Sequence, residues 1–190
     1  DTLDETGRIL NENIVVKAMQ LYEQNQVRHG ILILGKTMSG KSTIWQCLEK
    51  SMNKLAAVNG EKYRPVRIEK MNPKSIEVKE FYGDFDDSPD PQWQMGIFST
   101  LLRQMIADDN KVSRWLLMDG PVDTLWIENM NSLLDDSKLL TLNNGDRIPL
   151  SQNCKLLFET ENLDVASPAT ISRVGLLYMD LEELGYQPLL

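Results

Sequence analysis

The sequence predicts an α/β fold built around a glycine-containing loop that joins a buried strand to a helix. Residues Gly35 to Ser42 read Gly-Lys-Thr-Met-Ser-Gly-Lys-Ser and match the phosphate-binding pattern G-x-x-x-x-G-K-[ST]. The apolar run Ile31 to Leu34 precedes the loop, and a helical pattern begins at Thr43. A second apolar strand, Arg114 to Asp119, ends in a carboxylate further along the chain. Strand, glycine loop and helix in this order are the setting that the motif requires.

Length and composition limit the possible classes of protein. A chain of 190 residues predicts one domain with at most a small appendage. The 20 basic and 28 acidic residues give a net charge of −8, which argues against a nucleic-acid partner. No apolar run approaches the roughly 18 residues of a membrane span, so no membrane partner is expected. Cys47 and Cys154 have no clustered histidines and are expected to be reduced thiols of an intracellular protein.

The elements before the second strand follow from periodicity. Apolar residues at helical spacing predict a helix from Ile14 to Val27. The single histidine, His29, is expected to be a turn or packing residue rather than a catalyst. Alternation predicts a strand within Arg64 to Met71, and a short helical stretch follows from Ile76 to Tyr82.

The acidic segment from Gly83 to Pro91 is predicted to be an exposed loop. Its carboxylates could bind a cation, but their spacing does not match the calcium-loop pattern, so a solvated loop is favoured. Trp93, Ile97, Leu101 and Met105 fall four residues apart and predict a helix from Trp93 to Ile106.

The last third of the chain contains a hairpin signal. A helix is predicted over Thr124 to Asp136, followed by two apolar runs that flank Asn143-Asn144-Gly145-Asp146. Pro149 confines its strand to an edge. Further predictions are a buried strand over 155–158, a short helix capped by Ser167-Pro168 and ending near Arg173, and a last strand over 175–179.

The loop residues suit the binding of nucleotide phosphates. Gly35 and Gly40 permit backbone conformations that turn the loop amides inward, and the helix N-terminus adds positive potential. The predicted ligands are ATP, or ADP, with Mg²⁺. Lys41 is predicted to contact the β- and γ-phosphates of ATP, Ser42 to hold Mg²⁺, and Asp119 to hold Mg²⁺ through water. A chance glycine turn is the alternative. The predicted cofactor-binding residues are Gly35, Lys36, Thr37, Met38, Ser39, Gly40, Lys41, Ser42 and Thr43.

Glycine follows the metal-binding aspartate. Many P-loop ATPases have a glutamate at that position to polarise the attacking water, and Gly120 has no side chain that could act as a base. The sequence therefore indicates ATP binding more strongly than ATP hydrolysis.

Several stretches together resemble one family. In chain order they are the phosphate-binding loop, the strand ending at Asp119, the segments 126–131 (Trp-Ile-Glu-Asn-Met-Asn) and 133–138 (Leu-Leu-Asp-Asp-Ser-Lys), the hairpin, and 166–175 (Ala-Ser-Pro-Ala-Thr-Ile-Ser-Arg-Val-Gly). The chain from about Ile14 onwards is similar to the second AAA+ module of dynein heavy chains, and to the axonemal branch more than the cytoplasmic one.

The resemblance implies an AAA+ large α/β subdomain of three layers, with a parallel sheet of order 5-1-4-3-2 and a β-hairpin insert that faces the motor's linker. It implies a flexible segment 1–12, the subdomain 13–180, and the start of a connection, 181–190, to a helical lid absent from this chain. The family usually has an asparagine after the fourth strand that senses the γ-phosphate. This sequence reads Glu159-Thr160-Glu161-Asn162 there.

The functional expectation is a regulatory module of an axonemal dynein microtubule motor that holds Mg-ATP with little hydrolysis. The resemblance implies adjacent AAA+ modules, the linker and, through the whole motor, microtubules as partners. It places the protein in the cytoplasm, on the cytoskeleton of the cilium or flagellum axoneme. From its position alone, Arg173 could equally be a functional arginine or a surface arginine paired with a carboxylate. The match to Ala-Thr-Ile-Ser-Arg implies an arginine finger that acts in the preceding module's site.

Two other interpretations remain open. A stand-alone P-loop ATPase or nucleotide kinase would share the loop. A kinase would also require a basic lid that holds the phosphates, and the acidic segment 83–91 does not supply one. A purely structural module with a dead nucleotide site is the third interpretation, and the intact Gly40-Lys41-Ser42 argues against it.

Overall fold

The computed structural model of the chain describes residues 12–107, 111–164 and 166–181. The predicted division into 1–12, 13–180 and 181–190 stays a prediction, because 1–11 and 182–190 lie outside the described residues. The helices are α1 (Glu12–Val27), α2 (Lys41–Val58), α3 (Val78–Tyr82), α4 (Ile97–Ala107), α5 (Thr124–Ile127), α6 (Asn131–Leu134) and α7 (Pro168–Arg173). Single 3₁₀ turns occur at Pro73–Ser75 and Glu128–Met130.

Five parallel strands form the central sheet. They are β1 (Gly30–Gly35), β2 (Val66–Met71), β5 (Ser113–Asp119), β8 (Cys154–Thr160) and β9 (Gly175–Met179), in the spatial order β2-β5-β8-β1-β9. When only these five are counted along the chain, the order is 5-1-4-3-2, as the resemblance implied. The other strands form two hairpins, β3 (Gly83–Phe85) with β4 (Trp93–Met95) and β6 (Leu139–Thr141) with β7 (Arg147–Pro149).

Alternate residues of the strands pack on opposite faces of the sheet, which produces three layers. Ile31 and Ile33 contribute to an apolar cluster with α1 and α2, whereas Leu32 contributes to a second cluster with α3, α4 and the helical turns after β5. Side chains alternate because the strand period is two. Both faces of the sheet are covered, as expected for parallel strands.

The structure agrees with the predicted packing role of His29 and with the predicted cap of α7. Cys47 and Cys154 are free thiols. His29 is buried, and its Nε2 atom lies 2.9 Å from the Leu133 carbonyl oxygen, so it is a packing residue. The α7 cap forms as predicted, because the Ser167 hydroxyl accepts a hydrogen bond from the Thr170 amide. Among the helices of the described residues, none combines the length and apolar character that crossing a membrane requires.

Three predicted elements differ from the structure. Trp93 does not begin a helix: it lies on β4, and α4 begins four residues later at Ile97. The segment 83–91 is only partly a loop, because Gly83–Phe85 pairs with Trp93–Met95. The helix predicted over Thr124 to Asp136 is divided into α5, a 3₁₀ turn and α6.

The Asn-Gly hairpin is confirmed. The Gly145 amide donates to the Leu142 carbonyl, and Gly145 has φ +88°. Leu140 and Ile148 bury their side chains in the second apolar cluster. Within the described residues β7 pairs only with β6, so Pro149 lies on an edge strand as predicted.

Candidate nucleotide site

The loop between β1 and α2 has the backbone geometry of an anion nest. Met38 and Gly40 have positive φ angles of 67° and 82°, which reverse the chain before the helix begins at Lys41. A Cβ atom at Gly35 would lie 2.5 Å from the Met179 carbonyl oxygen and 2.5 Å from the Ser39 hydroxyl oxygen. Gly35 is therefore required by close packing. Consecutive amides turned into a loop concavity bind anions.

Two polar groups of this loop lack the partners that a phosphate would provide. The Ser39 hydroxyl is completely buried and has no hydrogen-bond partner among the described residues. The Lys41 ammonium donates to the carbonyl oxygens of Gly35 (2.6 Å) and Lys36 (2.9 Å). Neutral carbonyls are weaker partners for an ammonium than a charged phosphate oxygen. The loop therefore fits a nucleotide phosphate, which would be a stronger partner for Lys41 than these carbonyl oxygens.

The carboxyl ends of β5 and β8 lie side by side at the same edge of the sheet as this loop. Asp119 is in register with Glu159 on the neighbouring strand. The structure thus places the predicted loop residues 35–43 and Asp119 at one edge. Glu161, two residues beyond Glu159, accepts a hydrogen bond from the Thr37 hydroxyl of the loop.

Glu159 is a site residue to which the sequence assigned no role. Its side chain is 4% exposed and accepts hydrogen bonds from the Trp45 indole (2.6 Å) and the Ser42 hydroxyl (3.1 Å). Burial raises the pKa of Glu159, the Trp45 hydrogen bond opposes this, and the neighbouring charge of Asp119 raises it further. Among the described residues no hydrogen bond joins Ser42 to Asp119. The available signal was a carboxylate directly after an apolar run, at Glu159.

The Asn72 side chain leaves no room for a larger residue at the position after Asp119, which is Gly120. A Cβ atom at Gly120 would lie 2.8 Å from the Asn72 Oδ1 atom. That oxygen accepts a hydrogen bond from the Lys74 amide at 3.0 Å, which caps the 3₁₀ turn after β2. Both Glu159 oxygens are already hydrogen-bonded. Neither position therefore supplies a carboxylate that is free to orient water.

Arg173 lies away from the phosphate-binding loop. It ends α7 two residues before β9, whose first residue Gly175 pairs with Ile31 near the start of β1. The amino ends of parallel strands lie at the edge opposite the loop. Arg173 donates from Nε to Asp135 Oδ1 (2.5 Å) and from Nη1 to the Ala169 carbonyl (2.6 Å). The structure therefore shows the carboxylate pairing that position alone suggested.

The chain is similar over nearly its whole length to curated dynein heavy chains. It is 44% identical over 192 residues to "Dynein axonemal heavy chain 2" of Mus musculus, covering 99% of this chain and 4% of that protein. It is 43% identical over 188 residues to "Dynein axonemal heavy chain 5" of Mus musculus, covering 99% of this chain and 4% of that protein.

A third relative comes from an alga. The chain is 45% identical over 184 residues to "Dynein gamma chain, flagellar outer arm" of Chlamydomonas reinhardtii, covering 97% of this chain and 4% of that protein. No protein-family model matches the chain. The chain spans about 4% of the length of these relatives. The five-stranded order and the phosphate-binding loop agree with this relationship, and the chain belongs to the axonemal dynein heavy chains.

Proposed function

We propose that the chain is the second AAA+ module of an axonemal dynein motor ring and that it holds Mg-ATP with little hydrolysis. The main support is the pairing of an intact phosphate-binding loop with a closed position at Gly120. Lys41 and the loop amides would hold the phosphates, and Ser42 and Asp119 would hold Mg²⁺. When bound, the metal would neutralise phosphate charge.

The proposal extends to location and partners through the relatives, whose names place them in axonemes and flagella. The module would contact adjacent AAA+ modules and the linker of the same heavy chain, and microtubules through the whole motor. It would reside on the cytoskeleton of a cilium or flagellum.

Nucleotide binding is tested by removing the loop lysine. Lys41→Ala should weaken Mg-ATP binding by at least about tenfold, because an ammonium–phosphate bond is charge-assisted and alanine cannot replace it. Isothermal titration calorimetry on the parent and the variant measures the ratio. Lys50→Ala, an exposed lysine on the same helix α2, is the matched control and should bind as the parent does.

An unchanged affinity in Lys41→Ala would exclude this loop as the nucleotide site. Product analysis of the bound nucleotide gives a second test. ATP should persist on the parent chain, because Gly120 has no side chain and both Glu159 oxygens are already hydrogen-bonded, so neither position can activate water. Rapid steady release of ADP would instead favour a stand-alone ATPase.

We also propose that Arg173 acts in trans on the preceding module's nucleotide. Its place at the edge opposite the loop supports this, because the side chain is remote from the chain's own phosphate site. Among the described residues its Nη2 atom has no hydrogen-bond partner, and a planar guanidinium suits phosphate oxygens. Asp135 would hold the arginine in place until the neighbour engages it.

Arg173→Ala should leave ATP binding by the chain's own loop within about twofold, while turnover at the preceding module of the assembled heavy chain falls by about 10³-fold or more. Calorimetry on the chain and single-turnover ATPase measurements on the heavy chain provide the two values. Arg147→Ala, an exposed arginine on β7, is the control for charge. Loss of binding in the chain with normal turnover in the heavy chain would show that Arg173 is structural.

A further inference from the structure

A cavity of about 420 Å³ lies at the edge of the sheet opposite the phosphate-binding loop. Its walls come from the end of α1, the connection between α2 and β2, and the amino ends of β5 and β8. This volume falls within the range of ligand pockets in proteins. The cavity is separate from the nucleotide site and uses none of its residues.

The charge of this cavity is opposite to that of the chain. Five basic side chains line it, namely Arg28, Lys62, Arg64, Lys138 and Lys155. Among the described lining residues there is no aspartate or glutamate, although the chain has 28 acidic and 20 basic residues. We name this feature the basic cavity. Clefts lined by charges of one sign concentrate ligands of the opposite sign.

The positive groups at the basic cavity repel one another. Burial lowers the pKa of Lys155, and the charge of Lys138 lowers it further. Burial also lowers the pKa of His29, as do the charges of Lys138 and Lys155, against the hydrogen bond to Leu133. An anion bound between these side chains would relieve this repulsion.

Asn25 provides an independent indication of a missing partner. It lines the cavity, it is 5% exposed, and neither its Nδ2 nor its Oδ1 atom has a hydrogen-bond partner among the described residues. A buried amide without hydrogen-bond partners destabilises the folded chain. A carboxamide has both donor and acceptor groups, so it complements a peptide group, whereas phosphate oxygens can satisfy only the donor.

We propose that the basic cavity binds an acidic peptide segment from outside this chain. Its carboxylates would pair with the lysines and arginines of the walls, and one of its backbone amides would satisfy Asn25. The five basic side chains belong to separate segments of the cavity wall. Several carboxylates along a peptide suit such an arrangement better than one compact anion.

The single histidine of the chain makes a direct test possible, because His29 lines the cavity. Hexaglutamate peptide is titrated into the chain, labelled with ¹⁵N-histidine, at low ionic strength, with hexaglutamine peptide in parallel. We expect hexaglutamate to shift the His29 resonances and raise the imidazole pKa. Hexaglutamine should do neither, because it lacks the charge.

A pair of double variants tests where the peptide binds. Lys62→Gln with Lys138→Gln should weaken hexaglutamate binding by at least about threefold, since the variant loses two ion pairs with the peptide. Lys50→Gln with Lys74→Gln removes the same charge from exposed positions outside the cavity and should leave the affinity unchanged. Equal weakening by both variants would overturn the proposal, because it would indicate non-specific attraction.

Asn25→Leu separates the peptide from a simple anion. Leucine removes the unpaired amide, so the melting temperature should rise while hexaglutamate affinity falls. Inorganic phosphate at matched ionic strength should bind more weakly than hexaglutamate, and Asn25→Leu should weaken it less than it weakens hexaglutamate, because phosphate oxygens engage only the donor group of Asn25. Phosphate binding as tight as that of the peptide, or no shift of His29 with the peptide, would overturn the proposal.

Discussion

At the scale of single residues, the Glu159 carboxylate connects the Ser42 hydroxyl, which we propose holds Mg²⁺, to the core. One carboxylate oxygen accepts a hydrogen bond from the Ser42 hydroxyl, and the other accepts one from the Trp45 indole N–H. Because the Ser42 hydroxyl donates a hydrogen bond to Glu159, the lone pairs of its oxygen remain available to a cation. Trp45 is 3% exposed, so the carboxylate is held by a side chain that is itself fixed by packing.

Mg²⁺ should increase the ATP affinity of the parent chain. In Glu159→Gln this increase should be about tenfold smaller, while the ATP affinity measured in EDTA stays within about twofold of the parent. The amide can still accept from Trp45, but its nitrogen cannot accept from Ser42, and bonds to charged groups are worth about 1.5–3 kcal/mol. Calorimetry with and without Mg²⁺ gives both affinities. Glu61→Gln, on the exposed connection after α2, is the control. An unaltered Mg²⁺ effect would restrict Glu159 to holding Trp45.

The residues of the site were predictable to the extent that local sequence determines them. The loop from Gly35 to Ser42 is contiguous, so its motif contains most of its geometry. The role of Glu159 depends on a parallel register between β5 and β8, which are far apart in the chain. No local pattern encodes that register. For the same reason the contact between Asn72 and Gly120 was not predicted.

At the scale of elements, the hairpins show why periodicity alone can fail. Trp93 falls four residues before Ile97, so it satisfies a helical stripe although it lies on β4. A Cβ atom at Gly96 would collide with the backbone of Phe81 to Gly83, so the chain turns closely against that segment there. The pairing of β3 with β4 therefore depends on tertiary contact. The β6–β7 hairpin was predictable because its Asn-Gly turn is local.

Gly145→Ala should lower the free energy of unfolding by about 1 kcal/mol, because the left-handed conformation is unfavourable by about this amount for an L-residue. The backbone has φ +88°, and a Cβ atom there would meet nothing within 4 Å, so the cost reflects the backbone alone. Urea unfolding followed by circular dichroism measures it. Asn143→Ala, an exposed change in the same turn, should stay within about 0.5 kcal/mol. Equal stability of Gly145→Ala and the parent would contradict the turn geometry.

At the scale of the whole molecule, the two edges of the sheet separate two kinds of chemistry. Parallel strands place the loop, Asp119 and Glu159 at the carboxyl ends, whereas Arg173 and the basic cavity lie towards the amino ends. The α/β class followed from alternating strand and helix patterns. The 5-1-4-3-2 order did not, because strand order is a long-range property, and only the family resemblance implied it.

Global stability should fall at mildly acidic pH partly through His29. Burial lowers its pKa from the ordinary 6.5, so the unfolded chain binds the proton more tightly than the folded chain. The stabilisation is complete above pH 6.5 and is lost as pH falls towards and through the folded-state pKa. Denaturant unfolding at about pH 7.5 and about pH 5.5 should show a larger loss in the parent than in His29→Gln. Equal losses would show that His29 does not titrate with unfolding.

The contact between Asn72 and the Gly120 position would make the low hydrolysis that we propose for this site difficult to change by single substitutions. Gly120→Glu alone would force a Cβ atom against an Asn72 oxygen that is fixed by the Lys74 amide. A smaller residue at position 72 alone would remove that cap without giving any catalytic group. Each single step is therefore a loss, and only the two together could reopen the position. Gain of a catalytic carboxylate at position 120 would therefore depend on a simultaneous change at position 72, which is epistasis between the two positions.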